Sequence, residues 1–308
     1  LNSTVSIRFR DIQPMMRARQ RWQQASYLMS AVLGRFDHRR THCPHCGSAD
    51  VEVLSHKWVV TSLVKCRMCA LRFRVPQGTA QHHSRFYQRA YRSGLATDCP
   101  TPDECRRMME NRFAGTEKNF AHRIEVTAAL GVAPGSRLLD YGASWGYGTW
   151  QFRQAGYDAA GYEISRPRAA YARDQLAVPV LDEISQVSGP FDCMFSCHVL
   201  EHLPTPRLAL DLAARVLRPG GLFLAFTPNG SETCRQAVPE KYDHSWGRLH
   251  PLYLDDAFYR SQSGDRPHLL CSGDYGAHYP LESLRQWDRR SAVTLDLSRR
   301  ELLFAAVF

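Results

Sequence analysis

Residues 198–202 read His198-Val199-Leu200-Glu201-His202, two imidazoles and a carboxylate within five positions. On a helix, that spacing turns both imidazoles toward one metal ion with the carboxylate beside them. Four cysteines offer a second chemistry. Cys43, Cys46, Cys66 and Cys69 form C-x2-C-x19-C-x2-C. Each C-x-x-C aims two thiolates at one ion, and two of them complete a tetrahedral zinc site with no open position, which holds structure and does not catalyse. Redox C-x-x-C pairs stand singly beside a helix, whereas these two lie among strand-like runs, VEVL, WVVTSLV and LRFRV. Gly47 suits the tight turn after the first pair. His42, His45 and His56 are the substitute ligands within reach in sequence. A third pattern is RLLDYGASWGYGTW, which reads as strand, turn and helix. Its Gly142, Ser144, Gly146 and Gly148 let a backbone approach a ligand closely. GYEIS ends the next strand in Glu163, 23 residues after Asp140, where a carboxylate meets ribose hydroxyls.

The elements around these residues decide what they do. From Arg137 onward, short apolar runs alternate with helical ones: RLLDYG, WGYGTWQFRQAG, YDAAGYE, SRPRAAYARDQL, VPVLD, FDCMFSC, TPRLALDLAARVL and GLFLAFTPN. Strands alternating with helices of this length predict βαβ units on a parallel sheet. FDCMFSC is then a strand that runs straight into His198, and Pro204 and Pro206 follow at once. Proline is tolerated only in the first turn of a helix, so HVLEH is a strand end and loop, and the helical metallopeptidase geometry fails. In open α/β sheets, ligands bind at the carboxyl ends of strands, which is where HVLEH stands. ELLFAAVF, at the end of the chain, reads as a last strand.

The chain has 308 residues, enough for about two domains. Apolar residues at 44% and charged residues at 22% fit a globular protein, and no apolar run approaches the roughly 20 residues of a membrane span. The first residues show no apolar core with a small-residue cleavage site, so no signal peptide is expected there. Cys193 and Cys197 sit in an apolar strand as small hydrophobes, and scattered Cys99, Cys105, Cys234 and Cys271 imply a reducing, cytoplasmic setting. The net charge of +9 is unevenly spread: residues 1–75 hold 13 Lys/Arg against 4 Asp/Glu, and the rest balances at 26 and 26. A basic module on a neutral one suits an anionic partner or a solvated face. The expected organisation is a basic helical arm over 1–40 with a helix around 14–34, a zinc ribbon over 41–78, a helical linker over 79–133, and an α/β nucleotide-binding domain over 134–308.

LLDYGASWGYG, GYEIS, FDCMFSCHVLEHL and VLRPGGLFLAFTPN, in this order and spacing, resemble the class I S-adenosylmethionine-dependent methyltransferases over roughly residues 120–308. The resemblance implies a Rossmann-like sheet with helices on both faces and S-adenosylmethionine as cofactor. It places Asp140, Gly142, Ser144 and Gly146 at the methionine part, Glu163 at the ribose and Asp182 at the adenine. It assigns Cys197 and His198 to the cofactor side and Glu201 and His202 to the acceptor side. Ser144 departs from the family's central glycine. Some relatives with E-x-x-E-H hold a metal ion at this loop, but here His198 replaces the first acid. Methyl transfer to an alcohol needs a base, and a histidine near neutrality is suited to that. His202 is the first candidate, oriented by Glu201, and His250 is the second. Tyr242, His244 and Trp246, after the fifth strand of the domain, are candidate acceptor contacts.

HVLEHLP is neither the D/N-P-P-[YF] of base amine methylation nor a Pro-Cys nucleophile. The ribbon, followed by the spaced Tyr87 and Tyr91, is similar to bacterial enzymes that methylate sugars and natural products. The expected acceptor is a saccharide, nucleotide sugar or related small molecule, methylated on oxygen, with the Arg-rich ribbon holding a phosphate. An RNA methyltransferase that uses the basic N-terminus and a non-catalytic scaffold are the alternatives.

Overall fold

The computed structural model describes residues 29, 31–34, 36, 37, 40–57, 59–78, 99–247, 249–275 and 277–308. Its strands in chain order are β1 (Val51–Lys57), β2 (Thr61–Cys66), β3 (Arg72–Val75), β4 (Arg137–Tyr141), β5 (Asp158–Tyr162), β6 (Val180–Leu181), β7 (Phe191–Cys197), β8 (Leu217–Pro228), β9 (Leu252–Tyr253), β10 (His268–Gly273), β11 (Val293–Thr294) and β12 (Glu301–Val307). They form two sheets, β1-β2-β3-β9 and β11-β10-β12-β8-β7-β4-β5-β6.

The larger sheet is the expected Rossmann-like one. β5, β4, β7 and β8 pair in parallel, and β12 inserts antiparallel between β8 and β10. Its central strands are buried on both faces, with the two-residue alternation of a pleated strand. Leu139, Met194, Phe223, Ala225 and Phe304 face one core. Leu138, Cys193, Phe195, Leu222, Leu224 and Leu303 face the other. Helices cover both sides. Arg207–Val216 buries Ala209, Leu212, Ala213 and Val216, the stripe that a 3.6-residue period gives. Strand order reverses at β4, between β5 and β7, and the crevice at that switch point is where such sheets take ligands.

The smaller sheet lies beside the cysteine pairs: Cys66 ends β2, and Cys43, Cys46 and Cys69 stand in the chain segments flanking its strands. It does not stand apart from the larger domain, because β3 pairs antiparallel with β9, aligning Arg72 with Tyr253 and Phe73 with Leu252. Cys43, Cys66, Cys69, Leu71 and Phe73 share one apolar cluster with Leu252, Leu254 and Phe258. Within the expected linker, helices run Pro102–Glu110 and Ala121–Ala129, the first opened by a Thr101–Glu104 capping box. The basic arm over 1–40 and its helix fall outside the described residues, apart from 29, 31–34, 36, 37 and 40; Tyr87 and Tyr91 fall outside them too.

Candidate functional site

The turn after β4 is built from left-handed backbone. Gly142 has φ +86°, Ser144 +52° and Gly146 +84°. A Cβ on Gly142 would lie 2.3 Å from Val199 Cγ2, so the turn packs directly on the HVLEH loop. Ser144, the departure from the family glycine, adopts the left-handed region despite its side chain, a conformation that costs about 1 kcal/mol or more. Its contacts hold it there: the Ser144 N–H donates to Glu163 Oε2 at 3.0 Å, and Arg168 Nη1 donates to its hydroxyl at 2.9 Å. Glu163 directly follows β5 and is buried, and its Oε1 accepts from the Ser165 N–H at 2.8 Å. Each carboxylate oxygen keeps a second lone-pair direction for a ligand hydroxyl. Burial pushes Glu163 up to about 7, against the pull of the Ser165 N–H. Asp140, inside β4, accepts from Thr149 Oγ1 at 2.8 Å, and burial raises it to about 6. Asp182 follows β6, 3.3 Å from Arg173 Nη2. Cys197 ends β7, and burial pushes its thiol up.

β7 ends at Cys197, so HVLEH lies just past the expected strand end; it is a loop with a single 3-10 turn over Leu200–His202 and not an α-helix. His198 has φ +54°, and its ring lies between two carboxylates: Nδ1 is 3.1 Å from Glu201 Oε1 and Nε2 is 2.6 Å from Glu301 Oε1. Carboxylates accept only, so both ring nitrogens carry hydrogen and the ring is an imidazolium. Burial opposes that charge, but the two hydrogen bonds outweigh it and lift His198 to about 9. Arg123 Nη1 and Nη2 donate to Glu301 Oε2 and Oε1 at 3.1 and 2.7 Å, and the Tyr279 hydroxyl donates to Oε2 at 2.7 Å. Burial acts to raise Glu301, yet Arg123 and His198 hold it well below the usual carboxylate range. Two cations and two anions thus close a charge-neutral network beneath the loop. His198, assigned in sequence to the cofactor, has both its nitrogens engaged in this network.

His202 and His250 meet edge to face, with centroids 4.6 Å apart. His202 Nδ1 lies 2.8 Å from the Leu249 carbonyl, and His250 Nδ1 lies 2.8 Å from the Ser245 carbonyl. A carbonyl only accepts, so both rings donate from Nδ1, and neutral His202 then carries its lone pair at Nε2. Burial lowers His202 below its ordinary value, which keeps it neutral. Glu201 is 1% exposed; its Oε1 serves His198, and its Oε2 has no hydrogen-bond partner. Ligand atoms of Glu201, His202 and His250 lie within 4.8 Å of one another.

Tyr242 and Trp246, expected to touch the acceptor, are instead buried at 5% and 3% against Leu63 and Tyr253. The Tyr242 hydroxyl donates to the Gly230 carbonyl at 2.7 Å, and Trp246 Nε1 donates to Asp243 Oδ1 at 3.2 Å. Apolar bulk drew both rings inward, so they brace the segment after β8. His244 is exposed, with Nδ1 2.9 Å from the Glu240 carbonyl.

The four expected cysteine ligands converge, with all sulfurs within 4.8 Å. Cys43–Cys69 and Cys46–Cys66 are each 3.5 Å apart, far beyond a disulfide and close to the roughly 3.8 Å edge of a tetrahedron with 2.3 Å zinc–sulfur bonds. The donor set fits zinc. His45 and His56 are not in the cage: His45 Nε2 lies 2.6 Å from Gln262 Oε1, and His56 Nδ1 lies 2.9 Å from the Ser62 hydroxyl. The ribbon's phosphate role loses two cations. Arg72 is buried and paired with Asp255 at 2.7 Å, and Arg74 is buried and reaches the Gly247 carbonyl.

Sequence reading missed Arg123 and Glu301. The one available signal was an acid opening the otherwise apolar run ELLFAAVF; nothing local pairs it with an arginine 178 positions earlier.

A family model described as a methyltransferase domain matches residues 110–290, more than half of the chain. The ubiquinone biosynthesis O-methyltransferase of Bordetella avium is 28% identical over 118 residues, 35% of this chain and 49% of that one. Its counterpart in Alkalilimnicola ehrlichii is 28% identical over 152 residues, 42% of this chain and 61% of that one. The chain thus spans about half the length of the first of these relatives. Magnesium protoporphyrin IX methyltransferase from Synechocystis, solved with S-adenosylhomocysteine, superposes with a TM-score of 0.46 at 14% identity, over 74% of this chain and 99% of that one.

Proposed function

We propose that this chain, which belongs to the methyltransferase-domain family, is an S-adenosylmethionine-dependent enzyme that methylates a hydroxyl oxygen of a saccharide, nucleotide sugar or related small molecule. The observation that carries a hydroxyl acceptor is the neutral His202, which holds its lone pair at Nε2 beside His250 on the loop after β7. When bound, S-adenosylmethionine supplies a methyl group already activated on a sulfonium. Around it, Glu163 accepts the ribose hydroxyls, the Gly142–Gly146 turn lies against the methionine part, Asp182 flanks the adenine, and Cys197 and His198 line the cofactor side. His202 takes the acceptor's proton at Nε2, the positioned-base role worth typically 10²–10⁴-fold. The Leu249 carbonyl orients it through Nδ1, anionic Glu201 lies beside it, and His250 is the neighbouring base. The relatives' printed O-methyltransferase activity supports oxygen as the acceptor atom; the small-sugar class rests on the likeness carried by the ribbon and its spaced tyrosines.

A second reading is favoured by the orphaned Glu201 Oε2. With His202 and His250 it makes a donor set of two imidazoles and one carboxylate, which suits a divalent transition metal. An ion there would lower the acceptor hydroxyl's pKa in place of a free base. Metal analysis of the reduced protein separates the two readings: about one equivalent of zinc leaves only the cysteine site filled, and about two favours the second.

The test of the proposal is methyl-labelled S-adenosylmethionine incubated with bacterial extract, with His202→Ala alongside. Label in a sugar-containing small-molecule fraction, lost in the variant, supports it. Label in RNA overturns it.

A further inference from the structure

The cysteine ribbon lies against the segment that carries His250, and the contacts between them are specific. Strand β3, just after the second cysteine pair, adds β9 to its sheet, and the Arg74 N–H donates to the Pro251 carbonyl at 2.8 Å. Arg72 is 7% exposed and spans two elements of that segment. Its Nε meets Asp255 Oδ2 at 2.7 Å, and its Nη1 donates to the Tyr242 hydroxyl. Lys57, ending β1, donates to the Asp243 and Trp246 carbonyls and lies 4.2 Å over the Trp246 ring. On the cage side, the Ser261 hydroxyl donates to the Cys69 carbonyl at 2.9 Å, and Phe258 meets the His45 ring at 5.2 Å. The gripped segment in turn supplies the Leu249 carbonyl to His202, and the His250 carbonyl accepts from the Gly247 N–H at 3.0 Å.

Among the described residues, the cofactor-side turn packs in a cluster of its own. Ala143 and Trp145 pack with Ala169, Ala172, Leu176, Val178 and Val180, in a cluster without a ribbon residue. Ser144 and Glu163 are held by each other and by Arg168 and Ser165. Leu139 and Tyr141 of β4 share the larger apolar cluster with Cys43, Cys66 and Cys69, so what sets the acceptor half apart is the polar grip on the segment around His250.

We propose that the ribbon is a positioning clamp for the acceptor face: the filled cysteine cage holds β3, and Arg72 and Arg74 on that strand, with Lys57 at the end of β1, fix residues 242–247 and 249–255, and through them His250 and His202. Arg72 is the central positioning residue, since it ties Tyr242 and Asp255 together. Loss of the cage releases the acceptor half and leaves the cofactor half assembled. The inference rests on the reading that His202 and His250 face the acceptor, but the coupling is measured without an acceptor, so it fails or holds separately from that reading.

The experiment compares full-length protein with zinc bound, the same protein stripped by a chelator under reducing conditions, Arg72→Met/Asp255→Asn, and Arg72→Lys. The double variant removes both buried charges, so neither is left unpaired. Amide hydrogen exchange is followed in residues 249–255 and in 138–150, with calorimetric affinity for S-adenosylmethionine and the reactivity of the histidines toward diethylpyrocarbonate. The clamp predicts exchange in 249–255 about tenfold faster after stripping and in the double variant, the factor expected for losing the charged hydrogen bonds by which Arg72 ties Tyr242 to Asp255. It predicts faster modification of His250, unchanged exchange in 138–150, cofactor affinity within about twofold, and partial restoration in Arg72→Lys, which keeps one arm of the tie. Unchanged exchange in 249–255 after stripping overturns the proposal. So does a loss of cofactor affinity that parallels the exchange, because the ribbon would then support the whole fold and not the acceptor half.

Discussion

Glu163, the proposed ribose acceptor, makes the fold sensitive to pH, and the size of the effect follows from its burial. Its carboxyl is raised from an ordinary 4.5 to about 7, with burial as the first cause. Between those two values the folded chain holds a proton that the unfolded chain has released. The group therefore contributes stability at low pH, and that contribution is lost as pH rises through the folded value. At about 1.36 kcal/mol per pH unit, the loss between pH 5.5 and 8 is about 2 kcal/mol. Asp140, raised to about 6, acts in the same direction. Glu163→Gln removes the first contribution and keeps the second. Urea unfolding of both proteins at pH 5.5 and 8 should show the parent losing about 2 kcal/mol more than the variant. Ribose hydroxyls donate to the ionised form, so S-adenosylmethionine taken up at pH 6 should expel a proton, seen as a binding enthalpy that varies with buffer ionisation heat. Parallel pH dependences for parent and variant, with no buffer dependence, would refute the reasoning.

Further consequences follow from other residues. Ser144→Val places a β-branched side chain at φ +52° and removes the hydroxyl that accepts from Arg168, so it should cost about 2 kcal/mol or more in denaturant unfolding. Glu301→Gln leaves Arg123 and His198 without their shared anion, and should cost about 3–5 kcal/mol in the same measurement, whereas the exposed Glu282→Gln should cost less than about 1 kcal/mol. Cys66→Ser should lower bound zinc from about one equivalent toward none by elemental analysis of the reduced protein.

How much of this was legible in the sequence depended on range. The strand–turn–helix at Asp140–Gly148, Glu163 at the tip of β5 and the non-helical HVLEH were all readable, because each rests on spacing within a few residues and on local prolines and glycines. The cysteine cage was readable for the same reason, since its two halves are short local turns. The burial of Tyr242 and Trp246 was not legible because an aromatic's direction is set by what packs on it, here Leu63 and Tyr253 from the ribbon side and its β9 partner. The pairing of β3 with β9, and of Arg123 with Glu301, joins positions nearly 180 residues apart and leaves no periodic trace in one sequence. Ser144 was recognised as a departure, but its compensation by Glu163 and Arg168 needed the fold.

The account's central claim is that one crevice holds two functional halves, a cofactor half on β4 and β5 and an acceptor half on the loop after β7. Calorimetric titration of S-adenosylmethionine into the parent, Glu163→Ala and His202→Ala tests it most directly. The account predicts binding by the parent, a loss of about tenfold or more in Glu163→Ala as charged hydrogen bonds to the ribose disappear, and parent-like affinity in His202→Ala. Absence of binding by the parent, or an equal loss in both variants, would contradict it.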